Sequence, residues 1–287
     1  MATAMLFASY NIHFGLGRDQ IYDVGRVADV VAAADVICLQ EVAQGWALSG
    51  FADQAAEIAG RLNRFAWFHG PFDADSSTID AGGKVVNRRR TFGNAVISRW
   101  PIREARGHLL PKTALPAEFD LQRGMVETVV VAPSGALRVY SLHLSHLAPE
   151  QRLPQVRAAL ALVHSARDRG GAWDNRASDL FVFDEPAAPV PPAAIVMGDF
   201  NFTHADPEYP VICGPMDAAG RRAIPADGLV DAWAAAGNVE DRDSYPGEGR
   251  IDHCFVTADL AGKVRRAWID DASPASDHYP LFVEIDV

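Results

Sequence analysis

Ala193-Ala194-Ile195-Val196-Met197-Gly198-Asp199-Phe200-Asn201 is the stretch on which the reading of the fold turns. Its apolar run is short and bounded by prolines before and glycine after, which predicts a buried strand. Gly198 allows the backbone to turn or to come close to a ligand. Asp199 and Asn201 then put a carboxylate and an amide at the end of a rigid element, as a functional site requires. The same residues also suit an Asx-type turn closing a strand, and this stretch alone does not choose between the two.

Outward from it, apolar periodicity predicts a strand at residues 6–10 stopping at Asn11, a helix at 23–34, and a strand at 36–39 stopping at Gln40-Glu41. A helix at 51–62 and a short strand at 64–69 follow. Residues 73–90 are polar and turn-rich, a loop or hairpin carrying a basic segment from Lys84 to Arg90. That segment is either a solvated surface feature or an attractor of anionic substrate. Strands are expected at 93–98 and 102–110 around Pro101, and a hairpin at 125–132 and 137–144. Residues 149–167 have helical spacing interrupted by Pro154, so the helix starts there or bends. Residues 168–192 read as a long surface connection. A short helix near 229–236 and strands at 251–257, 264–269 and 281–287 complete the chain. With no repeat and no boundary signal, residues 1–287 are expected to form one domain.

With 49% hydrophobic and 22% charged residues, the 287-residue chain has the composition of a globular protein with a sizeable core. A formal net charge of -11 argues against nucleic-acid affinity through overall charge, although a local basic patch can still provide it. Cys38, Cys213 and Cys254 are too scattered for a disulfide framework or zinc cluster and fit a reducing compartment. Residues 1–10 read as strand with no leader, and no run reaches membrane-spanning length, so a cytoplasmic location is expected.

The polar residues repeat one placement. Asn11, Glu41, His143, and Asp199 with Asn201 end strands, whereas Arg250-Ile251-Asp252-His253 opens one and Ser276-Asp277-His278 precedes another. If the late strands run opposite to the early ones, all of these lie at one edge. Singly, Asn11 is more often a turn residue and His143 more often a surface or core histidine, and Asp252 could be a strand-edge ion-pair partner. Together, oxygen donors without cysteine suit Mg²⁺ or Mn²⁺ better than zinc. Histidine beside carboxylate adds what phosphate-ester hydrolysis needs: an activated water and groups that face the phosphoryl oxygens.

Tyr10-Asn11-Ile12-His13, Leu39-Gln40-Glu41-Val42, Gly93-Asn94-Ala95-Val96-Ile97-Ser98-Arg99, Ser141-Leu142-His143-Leu144, Gly198-Asp199-Phe200-Asn201, Arg250-Ile251-Asp252-His253 and Ser276-Asp277-His278-Tyr279-Pro280 resemble, in order, the motifs of the endonuclease/exonuclease/phosphatase superfamily. The resemblance implies a DNase I-like fold, a four-layered α/β/β/α sandwich with two mixed sheets face to face and helices outside. It also implies Glu41 as main metal ligand assisted by Asn11, with Asp277 near the metal or steadying a histidine. Asp199 would orient or deprotonate the attacking water and Asn201 hold the phosphate or that water. His143 and His278 would contact phosphoryl oxygens, His278 being paired with Asp252. Arg123, just before a strand, is a candidate phosphate contact.

His13 stands where many nucleases of the group carry an acid, which bears on a second metal. His253 is read as structural and His146 as a loop residue, while His108, His164 and His204 are given no role. The expected activity is Mg²⁺-dependent hydrolysis of a phosphodiester, with a phosphomonoester second. The superfamily includes DNA and RNA nucleases, sphingomyelinases and inositol-phosphate phosphatases, so nucleic acid (abasic sites included), phospholipid and inositol phosphate all stay open as substrates. No protein partner is implied. A non-catalytic, partner-binding member would have gaps in the metal and histidine set, and the sequence has none.

Overall fold

The computed structural model describes residues 4–115, 117–173, 187, 190–218 and 222–287. In chain order the elements are β1 (Ala4–Asn11), α1 (Val24–Val31), β2 (Val36–Gln44), α2 (Gln54–Leu62), β3 (Phe65–Asp75), β4 (Thr78–Ile79), β5 (Val85–Val86), β6 (Arg89–Ser98), β7 (Ile102–Leu109), β8 (Gly124–Ala132) and β9 (Gly135–His143). Then come α3 (Pro149–His164), α4 (Ala166–Arg169), β10 (Ala194–Asp199), α5 (Glu208–Cys213), β11 (Val230–Asp231), α6 (Ala232–Ala235), β12 (Asp252–Val256), α7 (Ala258–Ala261), β13 (Val264–Ile269) and β14 (Leu281–Asp286). One six-stranded sheet has the order β13-β14-β1-β2-β6-β3 and the other β11-β12-β10-β9-β8-β7.

The central strands read as unbroken apolar runs because both of their faces are covered. Phe7, Val36 and Cys38 of the first sheet meet Val139, Ile195, Met197 and Val256 of the second in a buried inter-sheet core. Their alternating neighbours Ala8, Tyr10, Ile37 and Leu39 face outward onto Val27 and Val31 of α1 and Ile58 of α2. On the other side, Tyr140, Leu142, Val196 and Phe255 pack on Val156 and Val163 of α3 and Ile212 of α5. The result is the four-layered α/β/β/α sandwich, as expected from the motifs. Cys38, Cys213 and Cys254 are buried and free.

Element boundaries moved where local chemistry overrides periodicity. The helix expected from residue 51 begins at Gln54 because the Asp53 side chain caps it, accepting from Ala56 N. Helix α3 starts at Pro149 and runs through Pro154, which deprives only the Glu150 carbonyl of a partner. The strand from residue 65 extends to Asp75, and residues 73–90 form the hairpin alternative, with β4 paired to β5. Helix α5 forms where Pro207 and Pro210 in the sequence suggest a loop, with Pro207 at its N-cap. Glu208 in it makes an ion pair with Arg152 of α3, at 2.7 Å. Of the connection at 168–192, residues 174–186 and 188–189 lie outside the described residues, and α4 occupies its start. Among the described residues no helix is long and apolar enough to cross a membrane.

Glu127 of β8 fastens the outer edge of the second sheet. It accepts from His108 Nε2 of β7 (2.6 Å), Arg169 Nη2 of α4 (2.9 Å) and Tyr140 Oη of β9 (3.2 Å). Burial alone would raise its pKa, but the bonds from His108 and Arg169 outweigh burial and hold it below the usual 4.5. A carboxylate lowered in the folded state contributes stability above its unfolded value, and that contribution is lost as pH falls through the folded one. Glu127→Gln is therefore expected to cost about 2–4 kcal/mol in urea unfolding at pH 7. The gap to wild type should narrow as the pH falls below 4.5; a pH-independent difference contradicts the assignment.

Candidate active site

Side chains two apart on a strand share a face, so the inter-sheet core can be followed along each strand to its end. The inner positions run Phe7, Ser9, Asn11 on β1; Val36, Cys38, Gln40 on β2; Val139, Ser141, His143 on β9; Ile195, Met197, Asp199 on β10; and Val256, Cys254, Asp252 on β12. All turn polar toward the same mouth of the sandwich. Register makes this so: β10 is parallel to β9 and antiparallel to β12, so Asp199 lies beside both His143 and Asp252. Gln40 closes the dry core beneath the mouth, its Nε2 donating to Ser141 Oγ at 3.1 Å across the sheets. The close approach at Gly198 is to the neighbouring strand: a Cβ there would lie 2.0 Å from the Leu142 carbonyl oxygen.

Glu41 arrives by a different route. Strict alternation puts it on the outer face opposite Gln40, but the β2–β6 register slips between Leu39 and Val42. Three steps on β2 then match two on β6, which marks a bulge. Glu41 takes a left-handed φ of 57° in that bulge, and its carboxylate lines the same cavity as His143 and Asp199. His13, Phe14 and Asn201, with φ values of 44°, 42° and 53°, are left-handed as well and border the site. Such backbone strain, about 1–3 kcal/mol per residue, is characteristic of functional sites.

The Asn11 carboxamide joins the two sheets. Its Nδ2 donates to Glu41 Oε1 (3.2 Å) and Asp199 Oδ2 (2.9 Å), and its Oδ1 accepts from His13 N (3.1 Å). Asp199 Oδ1 accepts from Asn201 N (3.0 Å), so the Asx-type turn is real and coexists with the site. Asn201 Nδ2 donates to the Leu144 carbonyl at 3.1 Å. His278 sits in the loop before β14, tied down because Ser276 Oγ donates to the Asn11 carbonyl (2.7 Å), and its Nδ1 donates to Asp252 Oδ2 (2.8 Å). The Nε2 atoms of His143 and His278 lie 3.3 and 3.6 Å from Asp199 Oδ2, so that oxygen is ringed by nitrogen.

Burial raises Asp199 to about 7, helped by nearby Asp252 and opposed by His278. His278 goes the other way from an isolated buried histidine: burial disfavours its charge, but Asp252 and Asp199 outweigh it and raise it to about 10. It is thus cationic at neutral pH. His143 is held neutral by burial, reinforced by Arg123, so its contact with Asp199 is not an ion pair. Arg123, 7% exposed, is pushed down by burial while Glu41 and Asp199 support its charge; a guanidinium stays protonated in such a site.

Asn11, Glu41, Arg123, His143, Asp199, Asn201, Asp252, Asp277 and His278 are thereby brought together, and all but the two innermost, Asn11 and Asp252, line one cavity of about 830 Å³. Asp277 reaches it with Oδ1 3.2 Å from Ser276 Oγ and Oδ2 3.6 Å from His13 Nδ1. His253 is structural: Nε2 donates to the Phe202 carbonyl (2.7 Å) and the ring packs among Phe200, Phe202 and Phe255. His146 is more than a loop residue, because its Nδ1 accepts from Arg123 Nη2 (3.0 Å) and it lines the cavity. Tyr245, whose ring stands edge-on 4.9 Å from His278, carried no signal in the sequence. Asp199, Asp252 and His278 place possible ligand atoms within 4.8 Å of one another, and a 2.8 Å bond from His278 Nδ1 to Asp252 Oδ2 ties two of these groups to each other.

The family model for the Endonuclease/Exonuclease/phosphatase family matches residues 8–278. The chain belongs to this family. No curated protein matches it at a significant level. Among solved structures, the family member from Beutenbergia cavernae is 21% identical with a TM-score of 0.61, the match covering 99% of this chain and 72% of that one. One from Bacteroides thetaiotaomicron is 18% identical with a TM-score of 0.63, covering 99% and 95%. A humanized D. rerio TDP2 is 16% identical with a TM-score of 0.58, covering 99% of both. At these identities the likeness establishes the fold, and this family member's chemistry must be argued from its own residues.

If Asp252 is what keeps His278 charged, Asp252→Asn should bring the His278 titration down from about 10 toward the ordinary histidine range in side-chain NMR. An unshifted titration contradicts that pairing.

Proposed function

We propose that the protein is a divalent-cation-dependent phosphoesterase that hydrolyses a phosphodiester by in-line attack of water. The observation that carries this reading is the ring around Asp199: a buried carboxylate within 3.6 Å of a cationic histidine and a neutral one, and hydrogen-bonded to Asn11. Phosphoryl transfer calls for positioning and charge stabilisation of this kind. In the proposed roles, Asp199 orients the attacking water and takes its proton. His278, kept charged by Asp252, and Arg123 face the phosphoryl oxygens. Neutral His143 donates a hydrogen bond to them, and Asn201 fixes the phosphate or the water.

The donor set fits a hard cation. Glu41 and Asp277 offer carboxylate oxygens on the cavity wall, and no cysteine lines it. Mg²⁺ or Mn²⁺ suits such a set, since Mg²⁺ takes one or two protein carboxylates and keeps waters for substrate. Asn11 turns its nitrogen toward Glu41, so in this orientation its part is to hold that carboxylate in place. When bound, the cation supplies stabilisation of the negative charge that develops on the phosphoryl and leaving oxygens.

Hydrolysis of an aryl phosphodiester with added Mg²⁺ or Mn²⁺ and with chelator tests this reading. Turnover that needs the cation is expected; none with either metal contradicts it. Glu41→Gln should raise the cation concentration needed for half-maximal rate. Asp199→Asn should lower kcat about 10²–10⁴-fold while leaving cation binding, read by calorimetry, in place. Wild-type turnover in Asp199→Asn would remove that residue from the mechanism.

A further inference from the structure

The cavity does not end at the polar set. Past the bulge at Glu41, β2 continues through Ala43, which pairs with Phe92 of β6, which pairs with Phe72 of β3. Residues directly opposite one another across strands project to the same face, and these three line the same cavity as Glu41. They form an apolar floor. Ala43 is only two residues from Glu41, roughly 6–7 Å along the strand. Trp46 stands at the side of the floor, its ring 5.8 Å from Phe72 and its Nε1 donating to the Thr91 carbonyl at 2.8 Å. Phe119, 74% exposed, reaches in from the segment that leads to Arg123.

A large exposed aromatic joined to a buried polar pole is costly to leave wet and marks a recognition surface. The basic rim does not read as a track for a polynucleotide backbone. Arg89 is spent on Asp73 at 2.8 Å, while the Arg88 and Arg90 guanidinium groups lie 5.2 and 5.4 Å from the ring centres of Phe51 and Trp46. Glu248 adds negative charge to the cavity wall.

Resting on the phosphoesterase reading, we propose that the substrate is a phosphoester bearing an apolar substituent, alkyl or aryl, which lies along the Ala43–Phe92–Phe72 floor between Trp46 and Phe119. The phosphoryl group occupies the polar pole, and Trp46 and Phe119 set specificity for what is attached to it. Burying the substituent removes both its own apolar surface and that of the floor from water.

The test uses the full-length protein with Mg²⁺ and a series of phosphonates from methyl to octyl, with phenylphosphonate as the aryl arm. Binding is read by calorimetry, and by competition against aryl phosphodiester turnover. Affinity should rise by up to about fourfold per methylene while the chain stays on the floor, the factor that full burial of one methylene gives. Phenylphosphonate binding as tightly as the longer alkyl members identifies an aryl substituent; weaker binding identifies an alkyl one. Phe119→Ala, at an exposed position that folding does not need, and Trp46→Ala should each shrink the octyl-to-methyl affinity ratio several-fold. Methyl and octyl binding within twofold of each other overturns this inference and leaves the phosphoesterase reading standing. So does an oligothymidylate that competes where octylphosphonate does not. No phosphonate bound and no phosphodiester cleaved overturns both.

Discussion

One side-chain amide ties the two halves of the site together. The sheets of a sandwich lie about 10 Å apart, so groups at the ends of inner-face strands meet only if something spans the gap. Asn11, at the end of β1, does so by donating to Glu41 on its own sheet and to Asp199 on the other. Burial of Asp199 is tolerable because nitrogen surrounds it, and burial of His278 as a cation is tolerable because two carboxylates face it. Each charge makes the other affordable, since an unpaired one in this position would neutralise or unfold the site. The Ser276 hydroxyl, bonded to the Asn11 carbonyl, extends the same tie to the loop that carries His278.

Stability and function are divided along the strands. The apolar halves of β1, β2, β9, β10 and β12 build the inter-sheet core, and the polar halves of the same strands build the mouth. Four of the left-handed non-glycine residues, His13, Phe14, Glu41 and Asn201, lie at the mouth and its rim. The close-packed sandwich below can hold such conformations because its register is fixed on both faces.

Much of this was legible in the sequence, for physical reasons. Strand ends are visible where apolar runs stop, and Asn11, His143 and Asp199 stop them. Period-two alternation then puts those residues on the inner face without any structure. Glu41 breaks the parity, and only the register slip with β6 accounts for its position. The partners of His146 and Tyr245 come from distant segments, so nothing local in the sequence marks them. The charge state of His278 is likewise collective, set by Asp252 and Asp199 against burial. The basic segment could not be read from composition either, because its residues divide between an ion pair at Arg89 and ring contacts at Arg88 and Arg90.

In the proposed reading Glu41, and not the Asp199, Asp252 and His278 group, anchors the cation beside the pole that takes the phosphate. Anomalous diffraction from crystals grown with Mn²⁺ and inorganic phosphate measures this most directly. Mn²⁺ against the Glu41 carboxylate, with phosphate against Arg123, His143 and His278, is the predicted result. Mn²⁺ lodged between Asp252 and His278, or bound away from the cavity, would contradict it.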